Sequence, residues 1–117
     1  GQTMRKIERD MIAAIRAGKN RSLGNTRVIV YYGDEARWQV LLHGNCIATQ
    51  ADGEPFRFTL AGWPTPTTRS RINALLQTFI HANARVYQTA GRQFVSVPEG
   101  GCGWQPRVIS PTEWVQA

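Results

Sequence analysis

Long apolar runs are missing from this chain: none approaches the roughly 18 residues that a membrane-spanning helix needs, and no charged-then-apolar leader is present. The protein is therefore expected in the cytoplasm, with no membrane partner. Cysteine is scarce as well. Cys46 and Cys102 are too few for a disulfide framework, and two free thiols in a reducing cytosol are expected rather than a bridge. Acids are outnumbered, with eight Asp and Glu against fourteen Lys and Arg, for a net charge of +6 and a pI near 10.2. That balance favours polyanionic partners and says nothing about fold. Lysine itself is nearly absent, Lys6 and Lys19 standing beside twelve arginines. Arg is the better fork for phosphate and the better stacking partner for bases, although a GC-rich genome would produce the same bias.

Catalytic constellations are also lacking. Six of the eight carboxylates fall in expected turns or in the C-terminal tail, so no acid pair emerges for general acid–base work. Neither His43 nor His81 has a plausible triad partner at a nucleophile elbow, and there is no Walker loop and no G-x-G-x-x-G. His43 and Cys46 have an H-x-x-C spacing that, with His81 and Cys102, could just supply four zinc ligands, but the second side offers no close ligand pair. No enzyme activity, cofactor or metal is expected.

What is present fits one domain over residues 1–117, with Met4 reading as the natural start and residues 1–3 as an appended remnant. Met4, Ile7, Met11, Ile12 and Ile15 recur at spacings of three and four, which predicts a helix over about 4–17 that Gly18 ends. A polar linker with a basic tip follows over 19–25. Four alternating runs, 26–32, 37–43, 46–50 and 56–61, are separated by Gly33-Asp34, Gly44-Asn45 and Asp52-Gly53, as an antiparallel meander requires. Ile72, Leu75, Leu76, Phe79 and Ile80 define a second amphipathic helix, capped by Thr67 or Thr68 and closed near Asn83. A hairpin over 85–89 and 93–97 comes next, and 98–117 reads as an irregular Gly-, Pro- and Trp-containing tail. The fold class is α+β, with both helices covering one face of the sheet.

The segment Trp63-Pro64-Thr65-Pro66-Thr67-Thr68-Arg69-Ser70-Arg71 departs from ordinary helix chemistry. A helix start carries the positive end of the macrodipole and favours Asp or Glu, yet this first turn holds Arg69 and Arg71 and no acid. Free backbone N–H groups, the hydroxyls of Thr67 and Thr68 and two guanidinium groups suit a phosphate, and Trp63 offers a surface for a stacked base. The bland alternative makes Trp63 a core or hinge residue and pairs both arginines with acids elsewhere. On the sheet, alternation assigns Arg27, Tyr31, Arg37, Gln39, Arg57 and Thr59 to the exposed face, an arrangement that can hold a single strand. A half-buried sheet needs polar outer residues in any case. His43-Gly44-Asn45 reads as a tight turn, with Gly44 and Asn45 at positive φ.

Two segments, Leu42-His43-Gly44-Asn45-Cys46-Ile47-Ala48 and the run from Leu60-Ala61-Gly62-Trp63 to Arg71-Ile72-Asn73-Ala74-Leu75-Leu76, resemble a family of small uncharacterised tailed-bacteriophage proteins. The Glu8–Arg16 stretch is similar too, and the likeness covers about residues 4–95. It implies a product made in the cytoplasm of an infected bacterium, and it implies no activity, cofactor or catalytic residue. Two functions follow as expectations. One is single-stranded nucleic-acid binding through Trp63, Thr67, Thr68, Arg69, Arg71, Arg27, Arg37 and Arg57. The alternative is a module that binds a host or phage protein, with Trp104 and Trp114 as interface anchors.

Overall fold

A helix forms where one stripe of side chains can be buried, and the computed structural model, which describes residues 4–98 and 105–117, shows two. Helix α1 spans Lys6–Ala17 and buries Glu8, Met11, Ile12 and Ala14. It starts two residues later than the periodicity suggests, because Glu8 reaches back to the Arg5 backbone N–H at 3.4 Å and sets Arg5 as N-cap. Helix α2 spans Pro66–Phe79. Its N-cap is Thr65, whose hydroxyl accepts from the Thr68 N–H at 3.2 Å, not Thr67 or Thr68. Pro66 explains the earlier start: its fixed φ and missing N–H suit the first helical position. The far end closes at Ile80, and Asn83 lies beyond it, its N–H donating to His81 Nδ1.

Among the described residues, nine strands make two antiparallel sheets. The larger has the order β1-β2-β3-β4-β5-β9, built from Arg21–Leu23, Thr26–Tyr31, Arg37–Leu42, Asn45–Ala51, Arg57–Phe58 and Val115–Gln116. The smaller runs β6-β7-β8, from Arg85–Thr89, Arg92–Ser96 and Arg107–Ile109. The four-strand meander and the later hairpin are thus present, within an α+β domain. Each gains strands that the pattern does not reveal. β1 occupies the supposed linker, and the supposed irregular tail pairs β8 with β7 and β9 with β5. Strands of two or three residues carry too little alternation to read, and their partners define them.

Both helices contribute to one core. α1 lies on β1 and β2, while α2 sits between the sheets, against β4 and β6. The inward set includes Val28, Val40, Leu42, Ala48, Phe56 and Phe58, together with Met11, Ile72, Leu75 and Leu76. A bulge between Val40 and Leu41 lets Ile47 and Ala48 both face inward. Thr59 is buried rather than on the outer face, since β5 ends at Phe58 and the Thr59 hydroxyl turns to accept from the Ala61 N–H at 3.1 Å. Asn73 ties α2 to the small sheet: its amide donates to the Val86 carbonyl at 3.0 Å and accepts from the Val86 N–H at 2.6 Å. One side chain thereby supplies the ladder bonds that edge strand β6 would otherwise lack there.

Candidate functional site

The two residues placed together at the α2 start, Arg69 and Arg71, go to different places. Positions 68, 71, 72 and 75 share the buried side of α2, and the Arg71 side chain is only 4% exposed. Its Nη1 donates to Glu8 Oε2 at 2.7 Å and its Nε to Thr26 Oγ1 at 3.0 Å, while Ser70 Oγ donates to the same Glu8 oxygen at 2.6 Å. Arg71 is therefore a core tie between α1, α2 and β2, and, contrary to the expectation from sequence, its guanidinium is not open to an external anion. Its helical phase could have shown this, because Arg71 lies four residues before Leu75. Glu8 sits likewise four before Ile12, on the apolar stripe of α1.

Arg69 keeps an unneutralised charge. Its Nη1 donates to the Pro64 carbonyl at 2.8 Å and to the side-chain oxygens of Gln88 and Gln93, each at 3.1 Å. Gln93 in turn donates to Gln88 at 2.8 Å, so the β6–β7 hairpin fixes the guanidinium. No carboxylate lies within ion-pair distance of it among the described residues, and its Nε and Nη2 have no hydrogen-bond partner there. Arg69 lines a polar cleft of about 570 Å³ with Arg5, Asn73, Gln77, Tyr87 and Gln88, and with Glu8, whose carboxylate is taken up by Arg71 and Ser70. Arg69, Asn73 and Gln77, four residues apart along α2, form one wall of that cleft.

On the other side of the α2 start, the two segments Leu42–Asn45 and Leu60–Thr65 meet around a second, more apolar pocket of about 520 Å³. Each contributes a tight turn with consecutive positive φ values, 51° and 81° at His43 and Gly44, 54° and 80° at Ala61 and Gly62. The positive pair is His43-Gly44, not Gly44-Asn45, because Asn45 already pairs with Leu42 in the ladder and leaves a two-residue loop. Trp63 follows the second turn and is 64% exposed, so it is neither core nor hinge filler. Thr67 and Thr68 line the same pocket. Thr68 is buried and shares a 2.9 Å hydroxyl contact with Thr65.

The sheet arginines form a separate patch. Arg27, Arg37 and Arg57 lie on the face turned away from the buried residues, in different rows of the ladder. Arg37 and Arg57 share a shallow depression of about 430 Å³ with Gln39 and Thr49, and Arg27 is outside it. The Arg37 guanidinium stacks over Tyr31 at 4.7 Å, and its Nε is buried with no hydrogen-bond partner. Trp114 is half-exposed beside β9, whereas Trp104 lies outside the described residues. Among the described residues no three His, Cys, Asp or Glu side chains come together, and no helix is long and apolar enough to cross a membrane.

Fold and surface together define a small, basic, single-domain α+β protein. The chain belongs to the Kyanoviridae Gp96 protein family, whose model matches residues 4–116, and it is thus a bacteriophage protein. No curated protein and no solved structure matches it.

Proposed function

We propose that this phage protein binds single-stranded nucleic acid in the cytoplasm of the infected cell, through the surface around the start of α2. The observation that supports this most directly is Arg69: a guanidinium held by three neutral acceptors, with no acid partner among the described residues, at a helix start that has no acid in its first turn. Such a group costs little further ordering when it meets a phosphate, and the macrodipole adds to the attraction. Trp63, exposed on the other side of the same helix start, supplies a stacking face for a base. A duplex buries its base faces, so an exposed stacking side chain favours an unpaired strand. Arg37 and Arg57 extend the basic surface on a separate face.

The test is titration of a labelled single strand against the native protein and Arg69→Glu at two salt concentrations. The native protein should lose affinity steeply as salt rises, and the variant should bind at least about tenfold more weakly at low salt. Unchanged affinity in Arg69→Glu would sink the proposal.

A second reading has its own support in Trp114 and Val108, each 50% exposed on the C-terminal segment. Exposed Trp is a favoured interface anchor, so this surface suits a host or phage protein.

A further inference from the structure

Resting on that reading, we propose that the pocket beside Trp63 takes one unpaired nucleobase and reads its edge, making the binding base-selective rather than purely electrostatic. Its floor is apolar: Leu42, Ile47 and Leu60 are buried core residues whose surfaces close the bottom. Its rim is polar and unengaged. The side chains of His43, Asn45 and Thr67 have no hydrogen-bond partner among the described residues, and the indole of Trp63 stands open beside them. A cavity of about 520 Å³ has room for a purine or a pyrimidine together with part of its sugar.

The chemistry of rim and floor selects among occupants. An apolar side chain from a partner would fill the floor and leave the Asn45 amide and the His43 imidazole unmatched. A base matches both zones, its face against Trp63 and its edge presenting adjacent donors and acceptors to the amide. Asn45 is suited to that role because it pairs with Leu42 in the ladder, so its side chain leaves the sheet on the side of the pocket. The rim is also built on rigid turns. His43 adopts φ 51° in the two-residue β3–β4 hairpin loop, and Ala61 φ 54° in the turn that the Trp63 N–H closes on the Leu60 carbonyl at 2.9 Å. The charged cleft lies directly across the α2 start, where Pro66 lines the cleft and Thr65 and Thr67 line the pocket. A phosphate at Arg69 and a base beside Trp63 can therefore belong to one strand.

The experiment uses the full chain and short fluorescein-labelled oligomers of each of the four deoxynucleotides, read by anisotropy. Three variants accompany it: Trp63→Ala, Asn45→Ala, and Thr67→Phe, which plugs the pocket from an α2 position that packs no core. Circular dichroism checks each fold. The native protein should separate its best and worst oligomer by at least about fivefold, the lower end of one good bidentate base contact. Asn45→Ala should collapse that spread, whereas Trp63→Ala and Thr67→Phe should weaken the best oligomer about tenfold, with the salt dependence carried by Arg69 retained. Equal affinities for all four oligomers, or a Thr67→Phe protein that keeps the native spread, would overturn the pocket assignment while leaving phosphate binding intact. No salt-dependent binding to any oligomer would overturn both.

Discussion

Two arginines two positions apart on α2 separate structural from functional charge. Arg71 and Glu8 are both buried, at 2.7 Å, with Thr26 and Ser70 completing the bonds. Removing one partner strands the other in the core, so Arg71→Ala should lose about 3–5 kcal/mol in urea unfolding, with oligonucleotide affinity per folded molecule little changed. Arg69→Ala should do the reverse, costing roughly 1 kcal/mol or less of stability, as for a partly exposed group bound to neutral acceptors, and most of the binding. Cys46 provides a pH-dependent readout at the same scale. Burial pushes its thiol up from the ordinary value, opposed by its bond to the Ala48 carbonyl and by the Arg37 charge. A folded pKa above the unfolded one means that the thiol's contribution to stability is complete below the unfolded pKa of about 8.5, and is lost as pH rises through the folded value. Iodoacetamide should accordingly modify Cys46 more slowly than free cysteine near about pH 8, with the site resolved by peptide mass spectrometry. Equal rates would contradict the burial effect.

At the scale of elements, the start of α2 trades stability for a positive potential. Replacing Thr67 at the second helical position by Asp would complement the macrodipole and should raise the unfolding free energy by about 0.3–1 kcal/mol. The same substitution places a carboxylate between the pocket and Arg69, so oligonucleotide binding should fall, and a rise in both quantities would argue against an anion site there. This element also shows what the sequence could convey. Apolar spacing located both helices, and alternation located β2 to β4, because those patterns report on burial over many residues. β1, β8 and β9 escaped because two or three residues set no period and their pairing comes from distant partners. Of the site, the acid-free first turn was legible from residue types alone. Arg71 differs from Arg69 by its position around the helix, which residue type alone does not convey. The meeting of Leu42–Asn45 with Leu60–Thr65 could not be read from one chain, since it depends on how the β3–β4 turn packs against the entry to α2.

For the whole molecule, Arg69 at the α2 start and Arg37 with Arg57 on the far face of the large sheet line separate depressions. Their separation gives the salt dependence a structure. Each phosphate neutralised on a single strand contributes about 0.7 to the slope of log affinity against log salt, so removing one contact should flatten it by about that amount. Arg69→Ala should therefore reduce the slope by about 0.7 for even a very short oligomer, which occupies only the α2 side. Arg37→Ala and Arg57→Ala should leave the short-oligomer slope alone and flatten it only for strands long enough to pass around the sheet. Equal effects of all three substitutions on the shortest oligomer would mean that the two basic surfaces act as one, against their placement on separate faces. The protein-partner reading predicts something different again. A pull-down from infected lysate would then yield the same partner with and without nuclease, and Trp114→Ala would release it while Arg69→Ala would not. Loss of every partner on nuclease treatment would instead assign the in-cell contacts of this phage protein to nucleic acid.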